Sequence, residues 1–373
     1  MNHLHIVSFD IPYPPIYGGI IEVFYKLKTL RELGYEITLH CFDYKGIERS
    51  DTLEKLCKKV YYYPRKKAYK VFFNLMPYIV SSRSNNDLLS NLLLDDSPIL
   101  FEGLHTCFYL GHPSLTNRNK VVCMHNIEWD YYQNLSKADQ NFIHKIHFNV
   151  ESKKLKQYES VLKYAQSIFC INKKDAEYMK QYCQQSIFVT PFHQNEIVQI
   201  KEGLGDYILY HGSLDVVENH QAATWLIMQV FSKIDIKVII AGKKPKSSLE
   251  DLIKKFPNIE LRKDLPRDEL NKLIENAQLH VLITFQGTGL KLKLLNTLYR
   301  GRHIIANDFM VANSNLESLC FIANTPEEIQ NEINKHWRQE FTFDNIQKRA
   351  DFLNENYANE NNIKRMIPYI FKD

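Results

Sequence analysis

The sequence predicts an α/β protein made of two parallel-sheet domains. Three observations carry this. The stretch Ala277–Asp308, AQLHVLITFQGTGLKLKLLNTLYRGRHIIAND, reads as one strand–turn–helix–strand unit. It has a β-rich run at His280–Thr284, a turn at Gly287-Thr288-Gly289, and Leu290, Leu294, Leu295 and Leu298 on one helix face. Gly301 stops the helix and Ile304–Ala306 is a second apolar strand. The N-terminus repeats the pattern, with a strand over His3–Phe9, a helix over Ile20–Leu33 closed by Gly34, and a strand over Glu36–Phe42. A third such series opens at Tyr207.

A chain of 373 residues has room for two cores. Hydrophobic residues at 45% and charged residues at 24% are ordinary for a globular protein. A net charge of +4 is too small to argue for nucleic acid, and no nucleic-acid recognition module appears. The seven cysteines form no Cys-x-x-Cys pair, and Cys41, Cys123 and Cys170 lie within apolar runs. They read as buried thiols of a reducing compartment, so a cytoplasmic protein is expected. MNHLHIVSFD lacks the basic start and long apolar stretch of a signal peptide. No apolar run reaches the roughly 18 residues of a bilayer-spanning helix.

In chain order, the first strand leads into a proline-rich loop ending at Gly18-Gly19. This pair lets a ligand approach the backbone of the following helix closely, and it equally suits a plain flexible turn. Val60–Tyr63 is a strand. From Lys58 to Phe73, basic residues alternate with tyrosine and phenylalanine, a pattern that suits peripheral contact with an anionic membrane, a sugar or lipid-linked acceptor, or an ordinary solvated rim. Pro98–Phe101 and Val121–Met124 are strands followed directly by Glu102-Gly103-Leu104-His105 and His125-Asn126-Ile127-Glu128. Two strand ends thus each deliver a histidine and a carboxylate where parallel α/β sheets bind ligands. Each pair is expected to sit on a loop, without metal-binding geometry. No serine stands in a nucleophile elbow. Ser136–Tyr164 reads as one long helical stretch, Ser167–Ile171 and Ile187–Thr190 as strands, and Pro191–Gly205 as a linker.

The second half starts with a strand at Tyr207–Tyr210 followed by His211-Gly212-Ser213-Leu214, and a helix from about Glu218 to Phe231. Next come a strand at Ile236–Ile240 running into Ala241-Gly242-Lys243-Lys244, a short strand at Ile259–Leu261 and a helix at Pro266–Asn276. After the 277–308 unit, Leu319–Ala323 is a strand and Pro326–Trp337 an amphipathic helix. The boundaries expected are 1–195 and 206–340 for two similar domains facing each other, with helices over 341–373 crossing back to the first. Gly212, Ser213, Lys243, Gly287, Thr288, Gly289, Lys291 and Lys293 are the groups expected to hold a nucleoside diphosphate. Backbone N–H groups at a helix start and nearby lysines attract phosphate, and they can stabilise a leaving diphosphate without metal. Gly18, Gly19 and His125 are expected across the cleft.

These motifs, in this order and spacing, resemble the retaining GT-B glycosyltransferases of the large "glycosyl transferases group 1" type. Pro14-Pro15 and Gly18-Gly19 are similar to that family's opening loop, and His125-Asn126-Ile127-Glu128 to a motif after an N-domain strand. Gly212, Ser213 and Asn219 match the start of its donor domain, and Gly287 through Lys293 to Gly301 its donor loop and helix. The resemblance implies a GT-B fold of two Rossmann-like α/β/α domains, acceptor first and donor second. It further implies a hexosyltransferase that needs no cofactor beyond a nucleotide-diphosphate sugar, transfers to a glycan or lipid-linked acceptor with retention, and serves polysaccharide biosynthesis. Gly19 then contacts the donor phosphates or sugar, and Lys293 lies near the diphosphate. His105 and His125 hold the sugar or acceptor, oriented by Glu102 and Glu128, and Asn296 stands at the ribose position. The family usually carries glutamate where this chain has Gln286 and Asn296. That departure keeps open a non-catalytic carbohydrate-binding protein on the same scaffold. A sugar epimerase or phosphorylase is the other alternative.

Overall fold

The computed structural model describes residues 2–43, 49–66, 75–138, 141–286 and 292–371. The chain divides into two compact units, residues 1–194 with 357–373, and residues 195–356. Each is organised on a parallel β-sheet with helices on its faces.

The first unit holds β1 (His3–Ser8), β2 (Glu36–Asp43), β3 (Lys59–Pro64), β4 (Ile99–Glu102), β5 (Lys120–Met124), β6 (Ser167–Cys170) and β7 (Ser186–Phe188) in the order β3-β2-β1-β4-β5-β6-β7. Strands covered on both faces read as nearly unbroken apolar runs. Alternation along β1 sends Leu4 and Ile6 to one face, against Val23, Leu27 and Leu30 of the Gly18–Glu32 helix and Ile363, Met366 and Ile370 of the Asn359–Ile370 helix. Val7 goes to the other face, with Phe101, Val122, Leu155 and Leu162. The last helix is also tied by polar contacts. Asn119 donates to the carbonyls of Tyr369 and Ile370 at 2.8 and 2.7 Å, and buried Asn362 donates to the Thr190 carbonyl at 2.6 Å.

The second unit holds β8 (Ile208–Ser213), β9 (Val238–Lys243), β10 (Ile259–Lys263), β11 (Leu279–Leu282), β12 (His303–Ala306) and β13 (Phe321–Ile322) in the order β10-β9-β8-β11-β12-β13. Ile208, Tyr210, Val238, Ile240 and Val281 pack against Ala222, Leu226 and Leu249 on one side, and Leu209, Ile239 and Ala241 against Ile274 on the other. The strand order reverses between β1 and β4 in one sheet and between β8 and β11 in the other. Crevices at such reversals, beyond the carboxyl ends of the strands, are where doubly wound sheets take ligands.

Four local expectations change. Residues 136–164 are two helices, Glu128–Ala138 and Phe142–Tyr158, followed by a 3-10 turn at Glu159–Tyr164. Asn141 starts the second helix because its side-chain oxygen accepts from the N–H groups of Ile143 and His144. Glu128 therefore begins a helix and does not lie on a loop, and His105 lies in a 3-10 turn, Leu104–Tyr109. His211, Gly212 and Ser213 belong to β8, since β9 extends equally far and pairs Gly212 with Gly242 and Ser213 with Lys243. The tail is two helices: Phe343–Tyr357, all but its last residue, stays with the second unit, where Arg349 donates to the carbonyls of Gly301 and Arg302, while Asn359–Ile370 belongs to the first.

All seven cysteines are free, six of them buried. No helix of the described residues is long and apolar enough to cross a membrane. Within 58–73, residues 67–73 lie outside the described ones. The basic groups before them have partners in their own unit: Lys58 binds Glu36 at 2.6 Å, Lys59 lies over the Tyr61 ring, and Lys66 binds Ser84.

Candidate functional site

At the carboxyl edge of the first sheet, the His/carboxylate pairs read from the sequence cross over. His125, just after β5, does not pair with Glu128. Its Nδ1 lies 2.6 Å from Glu22 and its Nε2 3.0 Å from Glu102 at the end of β4. Lys26 completes the group, 2.7 Å from Glu102 and 3.1 Å from Glu22. Glu22, Lys26 and Glu102 are buried. Two carboxylates, an ammonium and an imidazolium sum to zero, which is how a buried charged group becomes tolerable. Burial alone opposes the charge on His125, but Glu22 and Glu102 outweigh it and raise its pKa to about 10. Burial pushes Glu22 up, and His125 and Lys26 outweigh that and bring it to about 2. His125 thus keeps both ring protons at neutral pH, with Nε2 hydrogen-bonded to Glu102 and Nδ1 ion-paired with Glu22.

The second His/carboxylate pair has the opposite character. His105 Nδ1 lies 3.8 Å from Glu128 and has no hydrogen-bond partner. Burial, aided by the Arg83, His125 and Arg65 charges, holds the His105 pKa well below 6.5, so the ring is neutral. Burial raises Glu128 to about 7 against the pull of His125 and Arg83. Carboxyls and imidazoles poised this way favour proton exchange and hydrogen bonding to neutral hydroxyls. Phe9 sits against both histidine rings, at 5.4 Å from His105 and 5.5 Å edge-on from His125. A Cβ on Gly19 would meet that same ring at 2.8 Å, so Gly19 makes room for Phe9. Gly18 is exposed at the first position of its helix, which among the described residues has no side-chain cap.

Glu22, Lys26 and Arg83 were missed by sequence reasoning. Glu22 and Lys26 leave one trace, an i,i+4 charged pair on the apolar arc of Ile20, Val23 and Leu27. Arg83, buried and donating to the Phe9 carbonyl at 2.8 Å, leaves none.

In the second unit, strand register gathers Gly212 and Ser213 on β8 beside Gly242 and Lys243 on β9. Lys293, near the start of the Leu292–Arg300 helix, reaches them through Asn219. Its Nζ donates to Asn219 Oδ1 at 2.8 Å, and Asn219 Nδ2 donates to the Ser213 carbonyl at 3.1 Å. The ammonium also lies 5.1 Å from the centre of the Tyr210 ring. Asn296 is half-buried one turn further along. Asn307 fixes the end of β11 by accepting from the Thr284 N–H and donating to its carbonyl, while Thr284 donates to Glu218. Gly287, Thr288, Gly289 and Lys291 lie outside the described residues. A Cβ on Gly242 would fall 2.0 Å from the Gly212 carbonyl oxygen, so Gly242→Ala must part β8 from β9. We expect a loss of about 3 kcal/mol in urea unfolding, and a curve unchanged from wild type would sink the argument.

Among the described residues, two groups have ligand atoms within 4.8 Å of one another, Glu22/Glu102/His125 and His3/His5/Asp95. In the first, the Lys26 ammonium already supplies the cation.

No protein-family model matches the chain. A curated relative, the "uncharacterized 44.6 kDa protein in cps region" of Klebsiella pneumoniae, is 24% identical over 328 residues, covering 82% of this chain and 83% of that one. Among solved structures, TarM aligns with TM-score 0.70 and 11% identity over 99% of both chains. Sucrose-phosphate synthase of Thermosynechococcus elongatus aligns at 0.65 and 13%, over 98% of this chain and 97% of that one. Trehalose-6-phosphate synthase, OtsA, aligns at 0.66 and 10%, over 100% and 99%. These likenesses and the two sheets define the class of the fold. The chain has the GT-B fold, two Rossmann-like α/β/α domains.

Proposed function

We propose that the protein is a glycosyltransferase that moves a sugar from a nucleotide-diphosphate sugar to a hydroxyl of a glycan or lipid-linked acceptor, with retention and without a metal. The observation that carries this reading is the group at the carboxyl edge of the second sheet. There Lys293, held by Asn219, stands beside Gly212, Ser213 and Lys243. Two lysines beside a pair of glycine-bearing strand ends suit a diphosphate. Proteins with the same fold support it: Staphylococcus aureus TarM was solved with alpha-GlcNAc-glycerol and UDP, and an E. coli trehalose-6-phosphate protein with UDP-2-fluoro glucose.

In the reaction, the acceptor oxygen bonds to the anomeric carbon as the bond from that carbon to the diphosphate breaks. The acceptor proton passes to the departing phosphate oxygen, and Lys293 and Lys243 stabilise the charge that develops there. The first unit orients groups and transfers no proton through His125, which holds its protons too tightly. His105, neutral with an open Nδ1, and Glu128, titrating about neutrality, are the groups for sugar or acceptor hydroxyls. Glu22, Lys26 and Glu102 hold His125 in place behind them.

The test is a panel of nucleoside diphosphates and nucleotide sugars, read as shifts in melting temperature and then as transfer to an added acceptor. One nucleoside diphosphate should stabilise the protein by several degrees, and its sugar should be transferred with retained anomeric configuration. Gln286 and Asn296, in place of the glutamates usual in the resembling family, favour one competing reading, a carbohydrate-binding protein. Stabilisation by glycans and by no nucleotide would establish that reading instead.

A further inference from the structure

The opposite, amino-terminal edge of the first sheet carries polar chemistry that the proposed transfer does not use. His3 and His5 are two apart on β1 and so share a face. Register pairs His5 with Thr38 on β2, which puts Thr38 and His40 on that face as well. Asp95 reaches the same place from the turn before β4. Its Oδ1 and Oδ2 lie 3.0 and 3.2 Å from His5 Nε2, and its Oδ2 lies 3.4 Å from His3 Nδ1. The turn is fixed, because the Ser97 N–H donates to Asp95 Oδ1 at 2.8 Å. Buried Arg118 also donates to the carbonyls of Leu92, Asp95 and Ser97.

From this geometry we infer that His3 Nδ1, His5 Nε2 and Asp95 form a binding site for one divalent transition-metal ion of the zinc class. The three ligand atoms lie within 4.8 Å of one another. Ligands about 2.0–2.2 Å from a tetrahedral zinc are themselves about 3.3 Å apart, so the His5–Asp95 and His3–Asp95 separations already match. Two imidazoles and one carboxylate are a borderline donor set that suits Zn²⁺, and Co²⁺ as its spectroscopic substitute. The fourth position falls to Ser97 Oγ, 2.9 Å from His3 Nδ1, or to water. Asp95 is 38% exposed, which gives an entry path.

The nitrogens turned away from the site strengthen the assignment. Metal-binding histidines usually donate their second ring N–H to a fixed acceptor, which sets the tautomer. His3 Nε2 has Thr38 Oγ1 at 2.8 Å, and His5 Nδ1 has His40 Nε2 at 2.9 Å. His40 Nδ1 continues to the Tyr63 hydroxyl at 2.9 Å, itself accepting from Asn91. With a metal on His5 Nε2, protons run outward along this chain, from His5 to His40 to Tyr63. Without one, His5 Nε2–H donates to Asp95 and the same chain runs inward. In both states the His5 and His40 ring nitrogens along this chain keep a donor or acceptor partner, so the ion enters a site whose histidine orientation is already set. Arg118 lies 3.9 Å from Asp95 Oδ1 and is engaged with backbone carbonyls.

The experiment uses untagged, chelator-treated protein at pH 7.5. Zn²⁺ binding is measured by calorimetry and Co²⁺ binding by visible absorption. One equivalent of Zn²⁺ should bind and raise the melting temperature, and Co²⁺ should give the visible bands of a four- or five-coordinate site. Asp95→Asn, on the partly exposed turn, and His3→Ala should each weaken binding at least tenfold while circular dichroism stays native. Failure of wild type to bind one equivalent overturns the inference. So does one-equivalent binding that is unchanged in both variants, which would place the ion elsewhere.

Discussion

Lys26→Met should destabilise the first unit by about 3–5 kcal/mol in urea unfolding, the cost of removing one partner from a buried charged group. Lys26 is 1% exposed and Glu102 is fully buried, so neither can recruit water. The substitution leaves two carboxylates facing one imidazolium, with a net negative charge in the interior. Adding Glu102→Gln to Lys26→Met restores neutrality and should recover much of the loss, because the penalty belongs to the uncompensated charge. A single variant within 1 kcal/mol of wild type would show that the cluster is hydrated and weak.

The same cluster fixes a pH dependence. His125 has its folded pKa raised to about 10, above the ordinary 6.5. Its contribution is therefore fully present below pH 6.5 and is lost as pH rises through 10. Glu22 is lowered to about 2 from 4.5, so its contribution is present above pH 4.5 and is lost as pH falls through 2. Urea midpoints should peak near pH 5–6 and decline on the alkaline side, and His125→Gln should flatten that alkaline limb.

The second large effect lies in the second unit. Lys293→Ala should weaken binding of the stabilising nucleoside diphosphate about 10–100-fold, the value of one charge-assisted phosphate contact. In a melting experiment at fixed nucleotide, most of the shift should vanish while the nucleotide-free melting temperature changes little. Lys293→Arg should not restore it. The slot between Asn219 and the Tyr210 ring fits a compact ammonium, and a planar guanidinium presents a different fork. An undiminished shift in Lys293→Ala would remove Lys293 from the site.

How much was legible follows from which signals are local. The strands around Leu4, Leu39, Leu100, Ile240 and Ile305 show as apolar runs, because burial on both faces leaves no room for polar alternation. Lys293 and Gly212 stand out in the sequence because each follows from strand and helix periodicity in its own segment. Asn141 was missed as a helix start because the apolar spacing continues across it, and the break lies in a side-chain cap.

The sequence by itself determined the two parallel α/β units, the glycine-bearing strand ends and the candidate diphosphate group of the second unit. These depend on periods of 2 and 3.6 residues and on residues close in the chain. Tertiary structure decided which charges meet. His125 is two strands from β1, yet it pairs with Glu22 on the helix after β1 and with Glu102 on the neighbouring strand β4. His5 meets His40 and Asp95 in the same way, across strands and a turn. Strand order sets such meetings, and a charge buried by that order must find its partner in space, wherever the partner lies in the sequence.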